Sequence, residues 1–231
     1  MKKMNVCFLA ICLAIFAFAS YVEAAELIKH KEIKNQNIDV KIPYIVDNDS
    51  TFVREINKNI SDNIMGGVNG LKKMMADTPS YVPSDRFSFQ ASYNIELNKN
   101  GLLSLTLQKY MYTGGAHGIP YKDSYLFDLK TSTQYNLTSI FGKNFDYITF
   151  LNTKINHIIA TSDEWNNNDS INFKTVSDYT AFYLTDDKLV IHFPVYELGP
   201  YVIGSPHFEI PLREVYEHLN PAIANKLRYS P

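Results

Sequence analysis

The chain has almost no cysteine, and this absence narrows the chemistry available to it. Only Cys7 and Cys12 occur among the 231 residues, and both lie in an N-terminal stretch that we expect to be removed. The remaining chain then has no disulfide bond, no Cys-ligated zinc site and no cysteine nucleophile. Its stability must come from a hydrophobic core, for which 16 tyrosines and 14 phenylalanines supply bulky apolar surface.

The chain also has no excess of basic residues over acidic ones. Without residues 1–24, the chain has 20 lysines and arginines against 23 aspartates and glutamates, a formal charge of −3. Nucleic-acid binding calls for a basic surface, so we expect no nucleic-acid partner. Apolar runs are too short for a membrane span, which takes about 20 residues, so we expect none in the mature chain.

The N-terminus has the layout of a secretory signal peptide. Lys2 and Lys3 precede an apolar run over residues 6–18, and small residues follow before a cleavage site after Ala24 or Ala25. We therefore predict a signal peptide over residues 1–24 and a secreted or periplasmic protein. Residues 25–231 are predicted to form a single exported domain, and any subdivision would fall near residues 115–130.

Apolar periodicity predicts two main helices and a short C-terminal one. Apolar residues recur every three or four positions over residues 49–75, where Gly66 and Gly67 are expected to kink or split the helix. The second helix is predicted over residues 145–160. The third is predicted to begin at Pro211, a residue that is common in the first turn of a helix.

Alternation of apolar and polar residues predicts the strands. It is strict over residues 87–97, and the returning strand changes its apolar phase at Tyr110, which predicts a bulge near Lys109. With a third strand over residues 121–129, these segments form an antiparallel meander. Further strand segments are predicted within residues 32–46, 179–184, 189–193 and 207–210. Hairpins without regular βαβ units indicate an α+β fold, in which an antiparallel sheet packs against the two main helices and the short C-terminal helix.

Two stretches resemble a known family. The first reads Tyr-Thr-Gly-Gly-Ala-His-Gly over residues 112–118, and the second reads Tyr-Glu-Leu-Gly-Pro-Tyr over residues 196–201. They resemble the paired extracytoplasmic domains of unknown function of a lysozyme-sensing anti-sigma factor; a similar domain precedes the catalytic domain of a peptidoglycan deacetylase. The resemblance covers roughly residues 33–219. It implies an envelope-facing module that binds a protein such as lysozyme or a wall glycan, and it carries over neither signalling nor deacetylation.

The glycine-rich turn is the first candidate binding site. Its glycines would let backbone N–H groups approach a ligand, and His117 has a side chain that titrates near neutral pH. The alternative is that the glycines only satisfy the backbone geometry of a tight turn. The candidate ligand-binding residues are Tyr112, Gly114, Gly115, His117, Gly118, Tyr121, Tyr196, Glu197, Tyr201 and Gly204.

Catalytic and metal-binding patterns are missing from the sequence. The six histidines are scattered without the spacing of a zinc site, and no nucleophile motif occurs. His192 is predicted to be a hydrogen-bonded histidine in a strand. We therefore expect a binding module with no cofactor, no metal site and no catalytic residue. The alternative is a hydrolase or transferase that acts on envelope polymers through His117 and an acid brought near it by folding.

Overall fold

The computed structural model describes residues 27–47, 49–165 and 170–227, so the predicted signal peptide lies outside the described residues. The strands are β1 (Ile28–Lys34), β2 (Ile38–Ile45), β3 (Phe87–Lys99), β4 (Leu102–Thr113), β5 (Ile119–Asp128), β6 (Thr133–Tyr135), β7 (Ala181–Leu184), β8 (Lys188–His192) and β9 (His207–Pro211). The helices are α1 (Thr51–Asp77), α2 (Tyr147–Thr161), α3 (Leu212–Val215) and α4 (Pro221–Leu227). No helix in this described part is both long and apolar enough to cross a bilayer.

The predicted α+β fold is confirmed, with the strands divided between two sheets. The large sheet has the order β1-β2-β3-β4-β5-β6, and the small sheet has the order β7-β8-β9. Strands β3, β4 and β5 form the predicted antiparallel meander. One expectation was wrong: β2 and β3 are parallel neighbours joined through α1, which is a βαβ unit. Only three residue pairs join these strands, and such a short parallel pairing produces no distinct pattern in the sequence.

Strand β4 is covered on both faces along its first half. Leu103, Leu105 and Leu107 pack into a core with α1, whereas Leu102 packs into a second core with the small sheet. The predicted bulge near Lys109 is wrong, because β4 pairs continuously with both neighbours there. The apolar phase changes because Tyr110 and Tyr112 lie on the face opposite α1, where they hydrogen-bond to the glycine-rich turn. The register shift lies instead in β3, between Ile95 and Leu97.

Helix α1 runs without interruption through both glycines. The predicted kink is therefore wrong, and the structure gives Gly67 a different role. A Cβ atom at Gly67 would lie 2.3 Å from Cζ of Phe89, so the helix backbone rests directly on that buried ring. At Gly66, no atom lies within 4 Å of such a Cβ. Close approach of helix and sheet therefore requires glycine at only one of these two positions.

This difference predicts opposite effects of the same substitution at adjacent positions. Gly67→Ala is expected to lower the free energy of unfolding by about 1–3 kcal/mol, the usual cost of overpacking a core. Gly66→Ala is expected to raise it by up to about 1 kcal/mol, because alanine favours a helix interior. Urea denaturation of both variants measures the two values. A stabilised Gly67→Ala protein would contradict the close packing of α1 on Phe89.

Candidate functional site

The glycine-rich turn follows β4, and tyrosine side chains form hydrogen bonds with its backbone. Tyr112 Oη donates a hydrogen bond to the carbonyl oxygen of Gly115 at 3.0 Å. Gly114 has a φ of 84°, a left-handed conformation that favours glycine. The N–H of Gly118 donates to Tyr110 Oη at 3.0 Å. A Cβ atom at Gly118 would lie 2.3 Å from the Tyr110 ring, so glycine is required there by packing.

The second motif contacts this turn directly. Tyr201 Oη donates to the carbonyl oxygen of Gly118 at 3.0 Å. The rings of His117 and Tyr201 stack with their centroids 3.6 Å apart and 20° between their planes. The structure therefore joins two segments about 80 residues apart in the sequence into one surface. We call residues 112–118 together with residues 196–204 the composite surface.

The part of the composite surface contributed by residues 196–204 has an unusual backbone and exposed apolar side chains. Tyr196 has a φ of 74°, a conformation that is uncommon for a residue other than glycine. Its ring lies 5.8 Å from that of Tyr201 and the residue is 53% exposed, while Val202 is 86% exposed. Gly204 has a φ of 73° and ends the short 3₁₀ turn of residues 201–203. Glu197 is exposed on the same segment.

One candidate lies on a different face. Tyr121 pairs with Lys109 across β4 and β5, and Lys109 donates to Asn63 on α1. Because side chains alternate along a strand, Tyr121 points to the face of the large sheet that carries α1. Tyr110 and Tyr112 point to the opposite face. The sequence could not show this, since it does not give the register between β4 and β5.

His117 is held by a carbonyl group and an aromatic ring. Its Nδ1 lies 3.1 Å from the carbonyl oxygen of Gly118, and because a carbonyl oxygen only accepts, Nδ1 carries the proton. The residue is exposed, so its other nitrogen, Nε2, can reach a ligand. In the described part of the chain, the polar partner of the ring is this carbonyl and not a carboxylate. The arrangement can position a hydrogen-bonding group at a surface, but it does not provide a base–carboxylate pair.

His192 is, as predicted, a hydrogen-bonded histidine in a strand. Its Nε2 lies 2.9 Å from Ser124 Oγ, at the contact between the two sheets. The residue is only 3% exposed. Burial, reinforced by the nearby charge of Lys122, lowers the pKa of His192 from 6.5 to about 4. The sequence did not indicate that this histidine lies between the sheets.

Two family models match the chain in succession. Residues 29–120 match the model described as Deacetylase PdaC, and residues 138–213 match the one described as Protein of unknown function (DUF3298). The chain contains both domains. Gly118 belongs to the PdaC match and Tyr201 to the DUF3298 match, so the composite surface is formed where the two domains meet. This order agrees with the resemblance to a paired domain seen in the sequence.

Known proteins with similar sequences or folds support the same assignment. Anti-sigma-V factor RsiV of Bacillus subtilis (strain 168) is 28% identical over 204 residues, which cover 82% of this chain and 68% of that protein. A DUF3298 family member from Bacteroides fragilis NCTC 9343 superposes with a TM-score of 0.63 at 17% identity, covering 87% of this chain and 96% of that one. A DUF3298 family protein from Pseudomonas aeruginosa PAO1 gives 0.55 at 15% identity, covering 84% and 94%. At these identities, the two structures establish likeness of fold alone.

Proposed function

We propose that this chain is an exported, non-catalytic binding module of the cell envelope that contacts a lysozyme-like protein through the composite surface. The observation that carries the proposal is the bond from Tyr201 to Gly118, with His117 stacked on Tyr201. These contacts fix the position of two loops that would otherwise be independent. A surface fixed before binding loses less conformational entropy when a partner docks.

The side chains of the composite surface suit a protein partner. Tyr196 and Val202 are exposed apolar groups beside the exposed Glu197 and His117. Tyrosine is enriched among the residues that dominate protein–protein binding energy, because it combines a flat apolar face with a polar tip. The resemblance to the paired domain of a lysozyme-sensing anti-sigma factor supports a lysozyme-like partner on the outer side of the membrane. The similarity to RsiV supports the same assignment.

We also propose that residues 25–231 act as one unit. The N–H of Leu184 in the small sheet donates to the buried Oγ of Ser104 in the large sheet at 3.1 Å. Lys226 in α4 pairs with Asp128 at the end of β5. Buried contacts of this kind support joint action of the two matched domains.

Tyr196→Ala tests the composite surface. The variant is expected to weaken binding to immobilised hen lysozyme at least tenfold, which corresponds to about 1.4 kcal/mol and is within the range of an interface hot spot. Biolayer interferometry measures the dissociation constants. Tyr81→Ala is the matched control, because Tyr81 is 84% exposed but lies in the loop between α1 and β3.

Three results would contradict the proposal. The wild-type protein would show no retention on lysozyme at micromolar concentration, or both variants would bind as tightly as wild type. If the wild-type protein were retained on purified wall fragments but not on lysozyme, the partner would be a glycan and not a protein.

A further inference from the structure

The face of the large sheet opposite α1 is only partly covered by the small sheet. The covered part contains Ser104, which accepts from Leu184, and Ser124, which contacts His192. Further along the same strands, towards the glycine-rich turn, this face is open. It forms the floor of a groove of about 480 Å³, with Ser205 of the loop before β9 at its side.

Most of the residues that line the groove are of polar type. Alternation along β2 to β5 places seven polar residues on this face: Asp39, Lys41, Gln90, Ser92, Gln108, Tyr110 and Lys122. A second hollow of about 540 Å³ shares Lys41 and Ser92 with the groove and extends to His30 and Glu96. Together they form one open cleft. The cleft extends across four neighbouring strands, and the spacing between hydrogen-bonded strands gives it a width of about 14 Å.

The two acidic side chains of the cleft already have partners. Asp39 forms an ion pair with Lys34 at 2.6 Å, and Glu96 accepts a hydrogen bond from Thr106 Oγ1 at 2.6 Å. By contrast, Lys41 and Lys122 form no ion pair with any described residue. The cleft therefore has a lysine on either side of its amide and hydroxyl groups, and the ammonium group of Lys122 also lies 5.5 Å from the centroid of the Tyr183 ring.

We propose that this cleft binds an oligosaccharide that carries carboxylate groups. Amide and hydroxyl side chains such as Gln90, Ser92 and Gln108 can exchange hydrogen bonds with sugar hydroxyls. The Tyr110 ring offers a flat apolar face of the kind on which a sugar ring packs. Lys41 and Lys122 supply charge complementary to carboxylates. An open, elongated cleft accommodates a segment of a polymer, whereas small-molecule sites usually enclose most of their ligand.

The cleft and the composite surface are adjacent but have separate side chains. Their structural connection is Tyr110, whose ring lines the cleft while its Oη accepts from the N–H of Gly118. The proposed protein contacts of Tyr196 and Val202 lie outside the cleft lining. Loss of protein binding in Tyr196→Ala with retained sugar binding would therefore separate the two sites.

Isothermal titration calorimetry with two defined sugars tests the proposal. The probes are a peptidoglycan tetrasaccharide that contains N-acetylmuramic acid and the neutral chitotetraose. We expect the acidic sugar to bind at least fivefold more tightly, with a preference that declines as salt is added. The double variant Lys41→Gln/Lys122→Gln is expected to weaken binding of the acidic sugar about tenfold and to remove the preference.

The matched control removes the same number of charges elsewhere. Lys72 and Lys73 are exposed on α1, on the other side of the large sheet, so Lys72→Gln/Lys73→Gln is expected to bind both sugars as wild type does. Gln90→Ala/Gln108→Ala is expected to weaken binding of both sugars. The proposal is overturned if neither sugar binds at millimolar concentration or if both bind with equal affinity. It is also overturned if the two lysine double variants lose the same amount of affinity for the acidic sugar.

Discussion

Replacing Lys226 with methionine is expected to lower the free energy of unfolding by about 3 kcal/mol or more, as is typical when one partner of a buried ion pair is removed. Lys226 Nζ lies 3.0 Å from Oδ1 of Asp128, whose carboxylate is fully buried at the end of β5. Without the ammonium group, a negative charge would remain buried without a compensating charge. The pair also ties α4 to the large sheet, so its loss weakens the contact between the two halves of the chain.

The environment of Asp128 explains why its charge persists in the folded protein. Burial by itself would raise the pKa of this carboxyl group, but the hydrogen bonds from Lys226 and Thr131 and the N–H of Lys130 lower the pKa below its ordinary value of 3.8. The folded state therefore favours the ionised form. Its stabilising contribution is present above the ordinary pKa and is lost as the pH falls through the lower folded pKa.

Urea denaturation at pH 7, followed by the fluorescence of the single tryptophan, Trp165, measures the effect of Lys226→Met. The matched control is Lys188→Met, since Lys188 pairs with Glu209 at 2.6 Å on the surface. Exposed pairs contribute little, so the control is expected to lose less than about 1 kcal/mol. Equal losses in the two variants would contradict the importance of burial at Asp128.

Acidification from pH 7 to pH 4 is expected to lower the free energy of unfolding by about 3 kcal/mol through His192 alone, because each unit of pKa shift corresponds to about 1.4 kcal/mol. The pKa of His192 is about 4 in the folded protein and 6.5 ordinarily. Burial is the main cause; Lys122 and His207 add to the lowering and Asp123 opposes it. The unfolded chain thus binds a proton first, and stability falls as the pH drops through this window.

The variant His192→Gln isolates this contribution. Glutamine retains a hydrogen-bonding group near Ser124 but does not titrate, so the variant is expected to lack the component of about 3 kcal/mol between pH 7 and pH 4. The control is His157→Gln, because His157 is exposed on α2. Urea denaturation at pH 7, 5.5 and 4 gives the three profiles. Parallel profiles for wild type and His192→Gln would show that His192 does not carry the effect.

The sequence predicted the type of a secondary-structure element correctly wherever one face of that element packs against a single core. Strand β3 was predicted because its side chains alternate, and α1 was predicted from its apolar spacing. The same reasoning failed at Lys109 and at Gly67. In β4, Tyr110 and Tyr112 contact the glycine-rich turn on the face opposite α1, and at Gly67 the packing partner is Phe89, 22 positions further along the chain.

The candidate site, too, was predicted only in part from the sequence. The two motif segments, 112–118 and 196–201, were recognised separately, and tertiary structure placed Tyr201 against Gly118. Tyr110 adjoins the composite surface through its contact with Gly118, and the register of β4 and β5 places Tyr121 on the other face. Spacing in a sequence reports which side chains share a face of one element. It carries no information about the distance to a segment 80 residues away.

The sequence by itself determined the types of most elements, the α+β class, the resemblance to a paired domain and the segments that carry its motifs. Tertiary structure alone decided that these segments touch, that a polar sheet face is half covered and half open, and that His192 and Asp128 are buried. The physical reason is that periodicity along a chain follows from local backbone geometry, whereas burial and electrostatic environment depend on which faces pack together.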